Sequence, residues 1–357
     1  MKRIPELDGI RGVAIAMVLV FHFFVQPLRF LPGSALAYLQ AACRLTWSGV
    51  DLFFVLSGFL IGGILLDSRD RPDYFRTFYT RRFFRIVPIY AATLMLTHPL
   101  MEWIGMHQVG RWWVYPLFLQ NFSMAAANDF GLWAVTWSLA VEEQFYLTLP
   151  AIVRYVRSML PWVIGGGIVV APITRVVLFY IWPDKIFHFL LVPCRADALL
   201  LGVAAAMWMR NASAAKWLRH HKNYLWAAGG ILLAGAGVIT LHGRWIHGID
   251  VMTSFGLTWL ALLYTSVLLL AVTQPQSWLG AVLQFGPLRS LGSIAYGVYL
   301  LHYVLLVALK TNIRSWPYAV VAGLALTATL MLSALSWRYF EKPLIDYGHR
   351  RTSPQLS

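Results

Sequence analysis

About ten stretches of this chain are each long and apolar enough to cross a lipid bilayer, and that repetition limits the fold more than any other feature. The runs lie near 9–30, 48–67, 83–101, 132–153, 159–181, 187–209, 225–242, 252–273, 291–310 and 316–339. A spanning helix needs about 20 mostly apolar residues, because the hydrocarbon core is roughly 30 Å thick and each helical residue rises about 1.5 Å. Within that core the backbone must satisfy its own hydrogen bonds, which a helix does inside one segment. Composition agrees: 59% of the 357 residues are hydrophobic and 12% are charged, with a mean hydropathy of +0.63, too little polar surface for a soluble globule. We therefore expect an all-α integral membrane protein with about ten transmembrane helices.

The first run is polar at its start and no small-residue cleavage site follows it, so the N-terminus is expected to stay. Placing that end inside puts twenty of the 29 Lys and Arg residues in cytoplasmic segments, six of them arginines in "SRDRPDYFRTFYTRRFFR". An even number of spans then returns the C-terminus to the cytoplasm. Inner loops beside anionic headgroups account for most of the formal net charge of +14, so membrane lipid is an expected partner and nucleic acid is not. Cys43 and Cys194 are the only cysteines, too few for a disulfide framework or a thiolate metal site; no metal is expected and no bridge is predicted. The segment 102–131 has an apolar core too short to span comfortably, and its Trp112, Trp113 and Tyr115 suit an interfacial or re-entrant piece. No internal repeat is evident, which argues against an inverted-repeat transporter. The expected organisation is one membrane domain over 1–345 and a short cytoplasmic tail over 346–357.

Titratable residues inside the runs carry the functional information. The first run, "ELDGIRGVAIAMVLVFHF", holds Asp8, Arg11 and His22. Arg11 and His22 are eleven residues apart, about three turns, so both project from one helix face about 16 Å apart, with Asp8 on nearly the same side. A charge at mid-bilayer costs about 2.5–3.5 kcal/mol on insertion scales, so such groups face the protein interior or a watery cavity. Two readings of His22 stay open: a neutral imidazole bonded within the bundle, or a base that accepts a proton.

In "TRRFFRIVPIY", Arg81, Arg82 and Arg85 crowd the start of the third run, with Arg82 and Arg85 on one helix face. They are either a positive-inside anchor on lipid phosphate or a clamp for a phosphorylated ligand that Arg11 joins. In "TWSLAVEEQFYLTLP", Glu142 and Glu143 point about 100° apart, so at most one aims squarely at a shared site. A buried pair between one of them and Arg175 is expected, leaving the other free for work. Asp51 and Ser57 in "GVDLFFVLSGFLIGG" are further candidates; Ser57 has no base at a defined distance. Arg195 and Asp197 are too close in sequence for an intrahelical bridge, so each is expected to pair elsewhere. Gly58, Gly62 and Gly63 are expected to let helices approach, and His302 to reach toward the outer interface. No nucleophile elbow, phosphate-binding loop or metal-binding helix is present in the sequence.

Six segments taken in order, "LDGIRGVAIAMVLVFH", "GVDLFFVLSGFLIG", "RRFFRIVPIY", "WSLAVEEQFYL", "RADALLLG" and "RYFEKPLID", resemble the membrane acyltransferase family 3, the O-acyltransferases of cell-surface glycans. The resemblance runs almost end to end. Arg11 and His22 match the family's Arg and His of the first helix, Arg82 and Arg85 its Arg-x-x-Arg pair, and Glu142 or Glu143 its acidic helix. Little sequence follows "FEKP", so the extracytoplasmic esterase-like domain of some members is expected to be missing. The resemblance implies transfer of an acyl group, most often acetyl, from acyl-CoA as co-substrate to a hydroxyl of a glycan or lipid-linked glycan, in a bacterial inner (cytoplasmic) membrane. It implies Arg11, Arg82 and Arg85 on the CoA phosphates and His22 as the base, with Glu142 or Glu143 beside it. Buried Arg, His and Glu on their own also suit a transporter or flippase of a glycan intermediate, which would move substrate without consuming acyl-CoA.

Overall fold

The structure is a computed structural model that describes residues 4–242 and 251–352. The longer helices are α1 (Pro5–Val20), α2 (Ala35–Ala42), α3 (Gly49–Ser68), α4 (Tyr74–Trp103), α5 (Gln120–Ala127), α6 (Thr136–Tyr155), α7 (Leu160–Ile181), α8 (Phe187–Leu190) and α9 (Val192–Arg210). They continue with α10 (Ala212–His220), α11 (Lys222–His242), α12 (Leu257–Thr273), α13 (Trp278–Leu283), α14 (Gly286–Ser293), α15 (Ala295–Asn312), α16 (Tyr318–Ser336) and α17 (Lys342–Thr352). No strand occurs among the described residues.

Eight of the described helical segments are long and apolar enough to cross a membrane, or nine when α14 and α15, bent by 74° at their junction, are taken as one span. The chain is thus an all-α, multi-pass membrane protein. The expected run at 132–153 is α6, whose 20 residues reach about 30 Å but whose hydropathy falls short because Glu142, Glu143 and Gln144 interrupt it. Its apolar residues Leu139, Val141, Phe145 and Leu149 are buried in the bundle, so α6 is held by protein and not by lipid alone. Within 102–131, α5 has eight residues, about 12 Å, and packs on α6 and α8 without crossing. The boundary expected after 345 falls inside α17: residues 346–352 are helical and packed, with Gly348 against the Phe84 ring and the Thr352 hydroxyl accepting from Arg81 Nε at 2.8 Å. Both cysteines are free, Cys194 buried and Cys43 partly so.

Small residues set the closest helix crossings. A Cβ on Gly58 of α3 would overlap the carbonyl of Leu199 in α9, and one on Gly202 would overlap the carbonyl of Val55. Gly62 faces Val203 one turn further on, so the expected packing role of Gly58 and Gly62 is realised against α9, whereas Gly63 makes room for the Arg210 guanidinium. The glycines of "LDGIRG" do the same for α1 and its neighbours: Gly9 meets the backbone of Leu283, Gly12 that of Leu288, and Gly292 the carbonyl of Asp8. Lipid supplies no hydrophobic drive between helices, so such van der Waals approach is what holds them. Gly58→Val is expected to force α3 from α9 and lower stability by about 1–3 kcal/mol or more, read as a lowered Tm in detergent.

The arginine-rich end of the bundle is partly neutralised by aspartates. Arg71 pairs with Asp73 at 2.9 Å, Arg157 with Asp70 at 2.5 Å and Arg210 with Asp67 at 2.6 Å. Asp73 lies outside the spans, and the Arg71 guanidinium with the Thr77 hydroxyl holds its carboxyl down at about 2.

Candidate active site

Two cavities lie inside the bundle, and they differ in chemistry. The first, of about 270 Å3, is lined by Arg11 of α1, Ser57 of α3, Arg82 and Arg85 of α4, Glu142 and Tyr146 of α6, and Tyr296 of α15. Arg11 forms an ion pair with Asp8 at 2.9 Å. Arg82 sits over the rings of Phe78 and Tyr146 at 6.0 and 5.6 Å. Among the described residues neither Arg82 nor Arg85 forms a hydrogen bond or ion pair with a carboxylate. The three guanidinium groups are near enough to repel one another. Glu142 lines the same cavity and Glu143 lies near Arg82, but neither forms an ion pair with Arg82 or Arg85, so these two guanidinium groups keep their donors for an anion with several oxygens.

The second cavity, of about 860 Å3, is lined by His22, by Gln26, Gln40 and Arg44, and by aromatic walls that include Trp47 and Trp137. Val50 and Tyr299 border both cavities. His22 lies in a π-helical turn, Phe21–Val25, that follows α1. A π turn of this kind is uncommon and often sits at a functional site. His22 Nδ1 lies 3.0 Å from the Val18 carbonyl and 3.3 Å from Nε2 of His302. The ring is walled by Phe21 and Tyr303, with centroids 5.1 and 5.3 Å away.

His302 is fully buried and does not reach an outer interface, a correction to the sequence expectation. Its Nδ1 points at the carbonyls of Tyr299 and Val298, at 2.8 and 3.1 Å, which holds the ring inside the bundle. Glu142 lines the arginine cavity beside Ser57 and the arginines and makes no contact with His22. Glu143 is near Arg82 and Glu142, with a buried oxygen that has no hydrogen-bond partner among the described residues. Of the two carboxylates expected beside His22, Glu142 therefore lines the other cavity and Glu143 lines neither. Ser57 is in close contact with the Tyr146 hydroxyl.

The expected pairing of Arg175 with a glutamate is also corrected. Arg175 pairs with Asp197 at 2.9 Å and donates to the carbonyls of Ser254 at 2.7 Å and Cys194 at 2.5 Å, and to the Thr258 hydroxyl. Arg195 pairs with Asp51 at 2.6 Å. Its guanidinium lies over Phe54, Trp137 and Phe189 at 5.4, 5.5 and 4.9 Å. Arg195 and Asp197 thus find separate partners on other helices.

Sequence reasoning passed over the tyrosines of α15. Tyr296, Tyr299 and Tyr303 are spaced i, i+3 and i+7, a helical stripe visible in "SIAYGVYLLHY". Tyr296 lines the arginine cavity, Tyr299 both cavities and Tyr303 the histidine cavity, so the stripe runs from one cavity to the other. Tyr299 is held by donating to the Val135 carbonyl at 2.9 Å and by the Ser138 hydroxyl at 2.5 Å.

A polytopic helical bundle with two adjoining intramembrane cavities, one lined by arginines and one holding a histidine, is the class defined so far. The acyltransferase domain family matches residues 4–338, and the chain belongs to it. It is 29% identical to the peptidoglycan O-acetyltransferase OatA of Listeria monocytogenes, over 97% of this chain and 56% of that protein. It is 28% identical to the putative peptidoglycan O-acetyltransferase YrhL of Bacillus subtilis, over 99% of this chain and 57% of the relative. The O-acetyltransferase OatA of Staphylococcus aureus is 25% identical over 98% of this chain and 58% of its own length. The chain thus spans a little over half the length of these curated relatives. No solved structure matches it.

Proposed function

We propose that this chain is a membrane O-acyltransferase that moves an acyl group, acetyl above all, from acyl-CoA to a hydroxyl of a cell-surface glycan or lipid-linked glycan. The observation that carries the reading is that the two cavities adjoin, with Val50 and Tyr299 in the wall of both. A donor held by its phosphates in one cavity and an acceptor in the other would meet there. The guanidinium groups of Arg82 and Arg85, which pair with no carboxylate among the described residues, suit the phosphates of CoA, and the largely apolar remainder of that cavity suits its extended pantetheine arm. The aromatic and amide-bearing walls of the larger cavity suit a sugar, which stacks on rings and exchanges hydrogen bonds with Gln26 and Gln40. The three bacterial relatives named as O-acetyltransferases, two of them for peptidoglycan, support the acetyl group and the glycan. They also favour a bacterial cytoplasmic membrane. With the arginine cavity on the cytoplasmic side, both termini are cytoplasmic and CoA has direct access.

In the step proposed, the acceptor hydroxyl gives its proton to neutral His22 as its oxygen attacks the thioester carbonyl carbon. The C–O bond forms and the C–S bond breaks. The CoA sulfur leaves and takes the proton from the imidazolium, so the products are the ester and free CoA. Glu142 stands among the arginines and would order them for the donor; it is not placed to orient the base.

The test is transfer of label from radiolabelled acetyl-CoA to extracted surface glycan as an alkali-labile ester by membranes carrying the protein. Arg85→Ala is expected to raise the acetyl-CoA KM about 10- to 100-fold, the loss expected when one hydrogen bond between ions is removed. Glycan movement without consumption of acetyl-CoA, or an unchanged KM in Arg85→Ala, would overturn the reading in favour of a transporter or of a lipid anchor respectively.

A further inference from the structure

We propose that His302 is a positioning residue for His22: it accepts a hydrogen bond that fixes the His22 imidazole in one tautomer, and it shares the charge when that ring takes a proton. The inference rests on the acyl-transfer reading and supplies what orients its base.

The argument starts from atoms that can only accept. His302 Nδ1 lies 2.8 Å from the Tyr299 carbonyl oxygen and 3.1 Å from that of Val298. A carbonyl oxygen has no proton to give, so His302 Nδ1 is the N–H of its ring. In a neutral imidazole the other nitrogen then holds a lone pair, and that Nε2 stands 3.3 Å from Nδ1 of His22. His22 Nδ1 also faces the Val18 carbonyl at 3.0 Å. Both neighbours of this nitrogen accept, so His22 carries its proton on Nδ1 and its lone pair on Nε2. Among the described residues His22 Nε2 has no partner, and His22 lines the larger cavity. The one nitrogen able to take a proton is therefore the one left for a ligand.

The Val18 contact comes from the preceding turn of the same helix, whereas His302 comes from α15 and locks the ring against rotation about its own side-chain bonds. The two rings are 5.0 Å apart at 58°. Once Nε2 of His22 binds a proton, the Nδ1–H becomes a charge-assisted donor to His302, a bond roughly twice as strong as its neutral counterpart. A buried carboxylate does this job in hydrolase triads. Here no carboxylate among the described residues contacts either ring, and a neutral imidazole is far cheaper to bury than an anion. Full burial of His302 behind Tyr299 keeps water from competing for its lone pair.

The first test does not depend on turnover. Magic-angle NMR of the full chain with 15N-histidine in bilayers should find both rings protonated at Nδ1 and bare at Nε2, assigned by the resonances lost in His22→Asn and His302→Gln. A His22 ring protonated at Nε2 overturns the proposal. The second test separates position from structure. His302→Phe keeps the ring and removes the acceptor, and should lower kcat about 10- to 100-fold while the acetyl-CoA KM stays within about twofold. His302→Gln places an amide oxygen near the lost Nε2 and should restore most of that loss. Wild-type kcat in His302→Phe, or equal losses in the two variants, overturns the proposal. Acetyl transfer by wild type with the wrong tautomer sinks the dyad alone, whereas the stated tautomers with no transfer to any glycan sink the acyl-transfer reading on which it stands.

Discussion

His22→Ala is expected to lower acetyl transfer by about 10²- to 10⁴-fold at equal abundance, the usual span for loss of a general base. The size of the effect follows from the chemistry of an alcohol nucleophile. A sugar hydroxyl is almost entirely protonated near neutral pH, so its attack on a thioester needs a group that takes the proton as the C–O bond forms. His22 is the imidazole that lines the larger cavity, whose wall also holds Val50 and Tyr299. Arg29 and Arg44, which also line it, offer hydrogen-bond donors and no acceptor. The variant should leave the acetyl-CoA KM close to wild type, because the donor arginines line the other cavity. Initial rates at saturating acetyl-CoA, with protein abundance measured in the same membranes, give both quantities. A His22→Ala protein that retains a tenth or more of wild-type kcat would remove His22 from the base role, and the tyrosines of α15 would become the groups to test.

The helical, membrane-spanning class was legible because apolar length is a local property. The packing role of Gly58 was legible for the same reason, since small residues inside an apolar run have few other uses. Partner identity was not local. Arg175 needed a carboxylate at its own depth, and Glu142, Glu143 and Asp197 all qualified by sequence; the depth and rotation of α7 against α9 settled on Asp197. His22 and His302 are separated by 280 positions, and nothing in either helix marks the other as its neighbour. The π turn at Phe21–Val25 adds a further offset that a period of 3.6 does not carry. Arg11 and His22, expected on one helix face about 16 Å apart, line two different cavities. The acidic pair went wrong for a related reason. Adjacent residues on α6 point in different directions, and the helix is turned so that Glu142 lines the arginine cavity while neither glutamate touches His22. The low hydropathy of α6, which sets it apart from the other spans, is the trace left in the sequence by its role as a cavity wall.

Asp197→Ala is expected to destabilise the bundle by about 3–5 kcal/mol, the cost of leaving one partner of a buried pair uncompensated. Arg175 and Asp197 are 0% and 2% exposed, so neither charge can recover hydration when the other is removed. The remaining contacts of Arg175 do not replace the carboxylate. The carbonyls of Ser254 and Cys194 and the hydroxyl of Thr258 accept its protons but carry no net charge. The loss should appear as a strongly lowered Tm in detergent and reduced abundance in membranes. Removing both charges tests the cause. Arg175→Met with Asp197→Leu keeps most of the volume and leaves no orphaned ion, so it should recover a large part of the stability lost in Asp197→Ala. If the double variant is no more stable than the single one, the pair is not what Asp197→Ala destroys, and the contacts of Asp197 with the Ala198 amide at 3.0 Å and with Thr258 at 2.5 Å carry the effect instead. If it does recover, α7, α9 and α12 are clamped by a charge pair that apolar packing can replace. The arrangement of the helices around the two cavities then rests on contacts such as Gly58 on α9, and not on this network.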